Sequence, residues 1–517
     1  MKARLLDAWG SGQRRPRIAF WFAFVLFSSM AGFSAIASPL ASGPDEASHV
    51  ARAAGLARGH LMGSEDLPGI HTLELPRLYE LNYTLNDCFG LRPDVPASCV
   101  PPVAGNLTEM VESKTTAGRY NPLYYTVLAP ITLLPPGIEV LYLVRLASLL
   151  LCSLALALGV RTLAEMRAPS WPVAGTVVAV TPMVVYLGGV VNPASVEAAA
   201  GVSLWVVLLA ALREPDPHLV RRRMLRAGFL VALLVNAKAL SPLLLALIVS
   251  LAVLAGGWKA TRRLLTDRRS WPGLALGVVA SGLAVLWIAI VGTVGQAEDG
   301  VWAILDPATA GNLVARRTSA YLMNMIGVFG TVDAVMPTWA YIWFGACAGV
   351  LVLLAFACGT VRERLAVIGG AVATLALPAI LQIPRATTLG LPWQGRYLLP
   401  LAVGLPILAG FICQRHLRDL PQNIAVRISG VLITGMAFLH FVGFATNLRR
   451  HVAGASAEYF RPVPNPWEPP VNAWVLVSLM LLTLVAFVAF FRAVARDGTD
   501  RADDVDTCGP TPSVAGL

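Results

Sequence analysis

Residues 42–49 read Ser-Gly-Pro-Asp-Glu-Ala-Ser-His, so two adjacent carboxylates, Asp45 and Glu46, and an imidazole, His49, follow directly on the first long apolar run. A merely structural membrane protein has no need of such a cluster where a helix leaves the bilayer. Ser42 suits an N-cap with Asp45 three residues on, and Pro44 is acceptable in a first helical turn, so a helix is expected to start here. Ala47, Val50, Ala51, Ala54 and Ala57 then recur at helical spacing, with Arg52 and Arg58 off that face. This pattern describes an amphipathic helix lying along the membrane surface, with Asp45 and His49 on one side of it. Carboxylates in its first turn face the positive end of the helix dipole, ready to accept a proton or to bind a divalent cation. The other reading is that they only cap the helix.

The elements that must position this cluster are membrane-spanning. The chain has 517 residues, 56% hydrophobic and 14% charged, with a mean hydropathy of +0.66, which excludes an ordinary soluble domain. The formal charge of +10 does not point to nucleic acid, because the basic residues sit in short clusters between apolar runs, where they report topology. Apolar runs at 18–38, 138–160, 172–190, 193–212, 271–294, 339–358, 365–383, 397–413, 428–446 and 471–491 are each about long enough to cross a bilayer. The run 227–257 has basic clusters at both ends and is expected to be a hairpin of two short helices, broken near Lys238 and Pro242. The expected fold is an all-α integral membrane bundle of about twelve segments with both termini cytoplasmic and no internal repeat. One membrane domain fills 1–496, with a large first exoplasmic loop at 39–119, a second exoplasmic segment at 295–337, and a disordered tail at 497–517. Ala35-Ile-Ala37 resembles a signal-peptidase site, so a cleaved signal peptide is the rival to an uncleaved first helix.

Cys88 and Cys99 lie close together in the first loop, on the oxidising side, where a bridge would staple it. Arg316, Arg317, Arg385, Arg396, Arg449 and Arg450 fall on the exoplasmic side against the usual bias, which suggests an anionic partner suited to guanidinium forks. Pairing with loop acids or lipid headgroups is the alternative. It is favoured for Arg316, Arg317, Arg449 and Arg450, and the functional reading for Arg396, at a helix mouth.

A first loop opening with Pro44-Asp-Glu-Ala-Ser-His49 is similar to the pattern of GT-C glycosyltransferases, polytopic enzymes that take sugars from polyprenyl-phosphate carriers. More closely, the chain resembles a bacterial family catalogued as domain of unknown function 2142, grouped with that fold. The stretches that carry the resemblance are this one, Tyr120-Asn-Pro-Leu-Tyr-Tyr125, Val191-Asn-Pro-Ala-Ser-Val-Glu197, the Lys238 break, Gly327-Val-Phe-Gly-Thr-Val-Asp333 with Pro337, and Gln394-Gly-Arg-Tyr397. The resemblance implies a GT-C-like bundle in a bacterial plasma membrane that inverts a polyprenyl-phosphate-linked sugar onto a cell-envelope glycan or lipid acceptor.

In that scheme Asp45 is the base. Arg396, with Lys238 second, stabilises the leaving phosphate. Glu46 orients the acceptor or, with Asp45, holds a divalent cation. His49, Tyr120, Asn121, Tyr124, Asn192, Glu197, Asp333, Gln394 and Tyr397 are candidate substrate contacts, against bland alternatives: a turn role for Asp333 and interfacial anchoring for the tyrosines. Membrane lipids are the surrounding partners and nucleic acid is not one. Two other classes stay open, a lipid or sugar transporter or flippase and a non-catalytic partner of envelope-assembly enzymes.

Overall fold

The computed structural model describes residues 15–292, 305–458 and 463–496. Among them nine helices are long and apolar enough to cross a membrane, and up to eleven spans result if two bent helix pairs each count as one. The chain is a multi-pass helical membrane protein. The expected tail at 497–517 lies outside the described residues.

Helix α1 (Arg15–Ile36) leads to α2 (Glu46–Ala57), which carries the end of the acidic cluster. The first loop then forms a three-stranded antiparallel sheet in the order β1 (Ser64–Leu67), β2 (Ile70–Pro76), β3 (Met110–Thr115), with α3 (Arg77–Thr84) leaving β2. In β2, Leu73 and Leu75 are buried while Glu74 faces out, the period-two pattern of a half-buried strand. The all-α expectation therefore holds for the membrane part, and the loop adds a small sheet.

After α4 (Leu123–Leu128) come α5 (Ile138–Ala164) and a bent pair, α6 (Ser170–Ala179) and α7 (Pro182–Gly188), which meet at 63°. Pro182 has no N–H to continue α6, and Thr181 starts α7 by accepting from the Val184 amide. Helix α8 (Pro193–Arg213) is almost wholly buried, as are both arms of the bent pair. The hairpin expected at 227–257 is present as α9 (Val220–Val235) and α10 (Ser241–Gly256), with Lys238 in the break between them. Both have 16 residues, and α10 turns by 112° into α11 (Trp258–Thr266). The nine to eleven spans among the described residues do not include α9, the first arm of this hairpin.

Helix α12 (Trp271–Val291) precedes a region expected to be an exoplasmic segment. Its described part forms α13 (Pro307–Gly327), capped by Asp306, and a two-stranded hairpin, β4 (Val328–Phe329) and β5 (Ala334–Val335). Then follow α14 (Thr338–Cys358), α15 (Val361–Gln382), α16 (Gly404–His416), α17 (Gln422–Ala453) and α18 (Ala473–Arg496). Small residues let spans touch. A Cβ on Gly175 of α6 would meet the Pro406 carbonyl oxygen at 2.3 Å, and one on Gly410 of α16 would meet that of Trp171 at 2.4 Å.

The two ends of the bundle are held differently. At the basic end, Glu165 pairs with Arg226 and Arg223, and Glu363 accepts from Arg213 and His416, both within 2.8 Å. At the acidic-cluster end, Cys88 and Cys99 are joined in a disulfide. Arg450 of α17 fastens that loop, donating to the carbonyls of Phe89, Arg92 and Val95 at 2.8–3.1 Å and to Asp333 at 2.6 and 3.1 Å. This is the loop-acid pairing weighed for Arg450. Arg450→Met keeps the length and removes the donors. It is expected to lower the unfolding free energy by about 3–5 kcal/mol and to speed reduction of the Cys88–Cys99 bridge. An unchanged melting temperature in detergent would show that this pin stabilises nothing.

Candidate functional site

The acidic stretch is held by a buried ion pair that joins three helices. Arg145, inside α5, uses its whole guanidinium. Nε and one terminal nitrogen grip Glu46 at 2.7 Å each, and the remaining donors reach the carbonyls of Ala35, Ser38 and Pro39 at 2.6–2.8 Å. Glu46 is only 2% exposed and also accepts from the amides of Gly43 and Val191. Asn192 caps α8 through the Ala194 amide and donates to the Pro44 carbonyl at 2.8 Å. The end of α1, the turn after it and the start of α8 are thereby locked to α5.

Glu46 is accordingly not the second acid of the cluster. Both its oxygens are engaged, so it neither orients an acceptor nor joins Asp45 around a cation. Among the described residues no group of three or more His, Cys, Asp or Glu is arranged to hold a metal.

Asp45 is the opposite case. From Ala41 to Gly55 every other residue is buried, while the Asp45 side chain is 56% exposed. Its backbone is left-handed, φ 56°, a conformation that Asp tolerates better than most residues. It sits at the N-cap of α2, yet its carboxylate makes no capping bond, so the capping reading fails. Ser42 is not the cap either, since its hydroxyl donates to the Pro39 carbonyl. Nor does α2 lie on a membrane surface. The sheet, α3, α4 and the turn Ala129–Leu133 pack around it. Arg52, expected on its polar face, is fully buried, donating to the carbonyls of Tyr120 and His60.

The residue that meets Asp45 comes from 351 positions away. Arg396 donates a terminal N–H to the Asp45 carboxylate at 3.3 Å. Its placement depends on Gly395, where a Cβ would come within 1.8 Å of the Tyr321 carbonyl oxygen, so only glycine lets this turn press against α13. Lys238, from the break in the hairpin, brings its ammonium 4.6 Å from the centre of the Tyr397 ring, and the Arg396 guanidinium lies 5.6 Å from the same ring. The Ser241 hydroxyl accepts from the Lys238 amide and donates to buried Glu197 at 2.6 Å, which fixes the break. The other Glu197 oxygen is buried without a hydrogen bond.

His49 lies one helical turn on, with Nδ1 2.8 Å from the Tyr125 hydroxyl and its ring against the edge of Tyr120. Burial pushes its pKa down to about 3. Asp45 opposes that shift, and Lys238 and Arg396 reinforce it. The imidazole is therefore neutral near pH 7, and all three charged groups act on it.

Of the sequence-derived candidates, the structure gathers Asp45, His49, Tyr120, Lys238, Glu197, Arg396 and Tyr397 at this end, with Gln394 half-buried in the same turn. Others hold structure. Tyr124 bonds Ser148 and Asn121 bonds Asn236, each at 2.8 Å, Asn192 caps α8, and Asp333 is gripped by Arg450. Sequence reading missed Arg145 and the burial of Arg52. The signal for Arg145 was present, since an arginine inside an apolar span normally has a specific partner.

Residues 27–405 match the family model described as a predicted membrane protein, DUF2142. No curated protein matches the chain. Among solved structures it is similar to ArnT from Cupriavidus metallidurans bound to undecaprenyl phosphate, at 14% identity and a TM-score of 0.41, over 96% of this chain and 82% of that one. So distant a likeness carries no argument about activity.

The two neighbouring acids should separate on substitution. Glu46→Gln leaves Arg145 buried and uncompensated and is expected to cost about 3–5 kcal/mol, whereas Asp45→Asn should leave the melting temperature within a degree or two. Equal losses would contradict the division of roles.

Acid gives a second check. Because the folded-state pKa of His49 lies below its unfolded value, the unfolded chain takes the proton first. The stability is whole above about pH 6.5 and falls by up to about 1.4 kcal/mol per pH unit towards pH 3. Melting curves of wild type should fall more steeply over this range than those of His49→Gln, and parallel curves would remove His49 as the cause.

Proposed function

This chain belongs to the DUF2142 family of predicted membrane proteins, and on that footing we propose that it is a GT-C type glycosyltransferase. It transfers a sugar from a polyprenyl-phosphate donor to a cell-envelope glycan or lipid. The observation that carries the reading is Asp45: one solvent-facing carboxylate in an otherwise buried stretch, free of any capping role, bonded to Arg396, whose neighbour Tyr397 carries Lys238 against its ring.

The chemistry follows from what each group can do. Asp45 takes the proton of an acceptor hydroxyl as that oxygen attacks the anomeric carbon. The new carbon–oxygen bond forms on the face opposite the phosphate, and the bond to the phosphate oxygen breaks, its electron pair leaving with the lipid phosphate. Configuration inverts. The leaving group gains negative charge and takes no proton, so what it needs is cationic stabilisation, which Arg396 and Lys238 supply. Tyr120, Gln394 and Tyr397 line the sugar, neutral His49 offers it a hydrogen-bonding edge, and Glu197 with Ser241 keeps the Lys238 turn in place. In this reading the end of the bundle that carries the basic clusters faces the bacterial cytoplasm, together with both termini, and Asp45 lies on the outer side. The membrane domain is taken as a single unit over 1–496.

A second reading, a lipid or sugar transporter or flippase, draws on the two bent pairs and on buried Glu197 beside Lys238. One experiment separates them. Purified protein in nanodiscs is incubated with a panel of polyprenyl-phosphate sugars and candidate acceptors. Wild type is expected to consume one donor, and Asp45→Asn to lose at least about a hundredfold in turnover. Vesicle transport with no donor consumed would favour the second reading, and equal turnover by both proteins would remove Asp45 as the base.

A further inference from the structure

The guanidinium beside Asp45 is used unlike Arg145 and Arg450, and unlike Arg52, whose Nε is also open but whose two terminal nitrogens are both spent on backbone carbonyls. Arg145 grips Glu46 with Nε and the adjoining terminal nitrogen, both at 2.7 Å. Arg450 grips Asp333 with the same edge, at 3.1 and 2.6 Å. Arg396, 4% exposed, gives Asp45 one nitrogen only, at 3.3 Å, and its buried Nε has no partner.

That edge presents two parallel N–H groups whose spacing matches two oxygens of a carboxylate or a phosphate. In Arg145 and Arg450 it is filled by design of the surrounding fold, with backbone carbonyls taking the other donors. In Arg396 it is half filled, by an acid that also faces water, and such a pair is weak. The mobility needed to break it is small. The backbone around Asp45 is clamped by Asn192 on Pro44 and by Glu46 on Gly43, so a rotation of the Asp45 side chain is enough.

Resting on the reading above, in which Arg396 receives the donor's phosphate, we propose that Asp45 is a placeholder for that phosphate. The donor's phosphate takes both N–H groups of the Arg396 edge, Asp45 swings off, and the base is delivered to the acceptor only once a donor is in place. The exchange imposes an order, donor before acceptor. It also separates two roles that a single contact would otherwise set against each other, since a carboxylate oxygen accepting from a guanidinium is not open to a hydroxyl. Lys238, 4.6 Å from the centre of the same Tyr397 ring, keeps a positive charge near the phosphate throughout.

The test is binding of a sugar-free polyprenyl monophosphate to the full chain in nanodiscs, with no acceptor present, for wild type, Asp45→Asn and Arg396→Gln. Asn keeps the left-handed backbone and removes the charge, and Asp45→Gly, which suits the same backbone, serves if Asn disturbs the fold. If Asp45 competes with the phosphate, both position-45 variants bind roughly five- to tenfold tighter than wild type, and Arg396→Gln binds weaker. Unchanged or weaker binding by the position-45 variants overturns the exchange, because Asp45 then either ignores the phosphate or helps to hold it. If wild type does not bind the lipid, or Arg396→Gln binds as well as wild type, the phosphate is not at Arg396, and the functional reading itself falls along with the exchange.

Discussion

The buried pair of Glu46 and Arg145 is the constraint on which this end of the bundle depends. Taking both charges out of water costs several kcal/mol per ion, and their attraction offsets that only when every remaining donor and acceptor is satisfied. Here the requirement is met in full. Five guanidinium bonds and two backbone amides on the carboxylate leave nothing of the pair unfilled. Completeness is also what makes the pair a positioning device. Its partners come from the end of α1, the turn after it, α5 and the start of α8, so a shift of any one would orphan a buried polar group.

Glu46 is fixed inward, whereas the Asp45 side chain is exposed. The left-handed backbone at Asp45 accompanies a carboxylate that makes no bond to the amides it would otherwise cap. Arg396 reaches it because Gly395 allows a backbone approach that a methyl group would forbid, and Lys238 because Ser241 and Glu197 hold the break in the hairpin.

Much of this was legible in the sequence and some was not, for identifiable reasons. Apolar runs gave nearly every span, and charge clusters flanking 227–257 correctly located a break at Lys238, because a helix cannot start and end on the same side of a membrane without turning. The stretch after the first span was the right place to look. Adjacency in sequence, however, does not say which of two acids turns inward, and that depends on Arg145, about a hundred residues away. Helix α2 was misread because its alanines look like one narrow apolar face, although small residues allow packing on all sides and Arg52 goes with them into the interior. The loop sheet and α13 were missed because their apolar content is low. Their stability comes from packing against the bundle and not from local hydropathy.

The arginines give a criterion that neither count nor location supplies. By topology alone Arg396, Arg449 and Arg450 are equally anomalous, and by burial alone Arg396 resembles Arg145 and Arg450. What differs is how far each guanidinium is satisfied by the protein itself. Arg145 and Arg450 grip a carboxylate with two nitrogens and fasten carbonyls with the rest, so a ligand would have to break structure to reach them. Arg396 has a single long contact and an unpartnered Nε. An open buried Nε alone does not set Arg396 apart, since Arg52 has one too, but Arg52 spends both terminal nitrogens on carbonyls, whereas Arg396 combines the open donor with one long bond to the one exposed acid of the stretch, the least satisfied arrangement of the four.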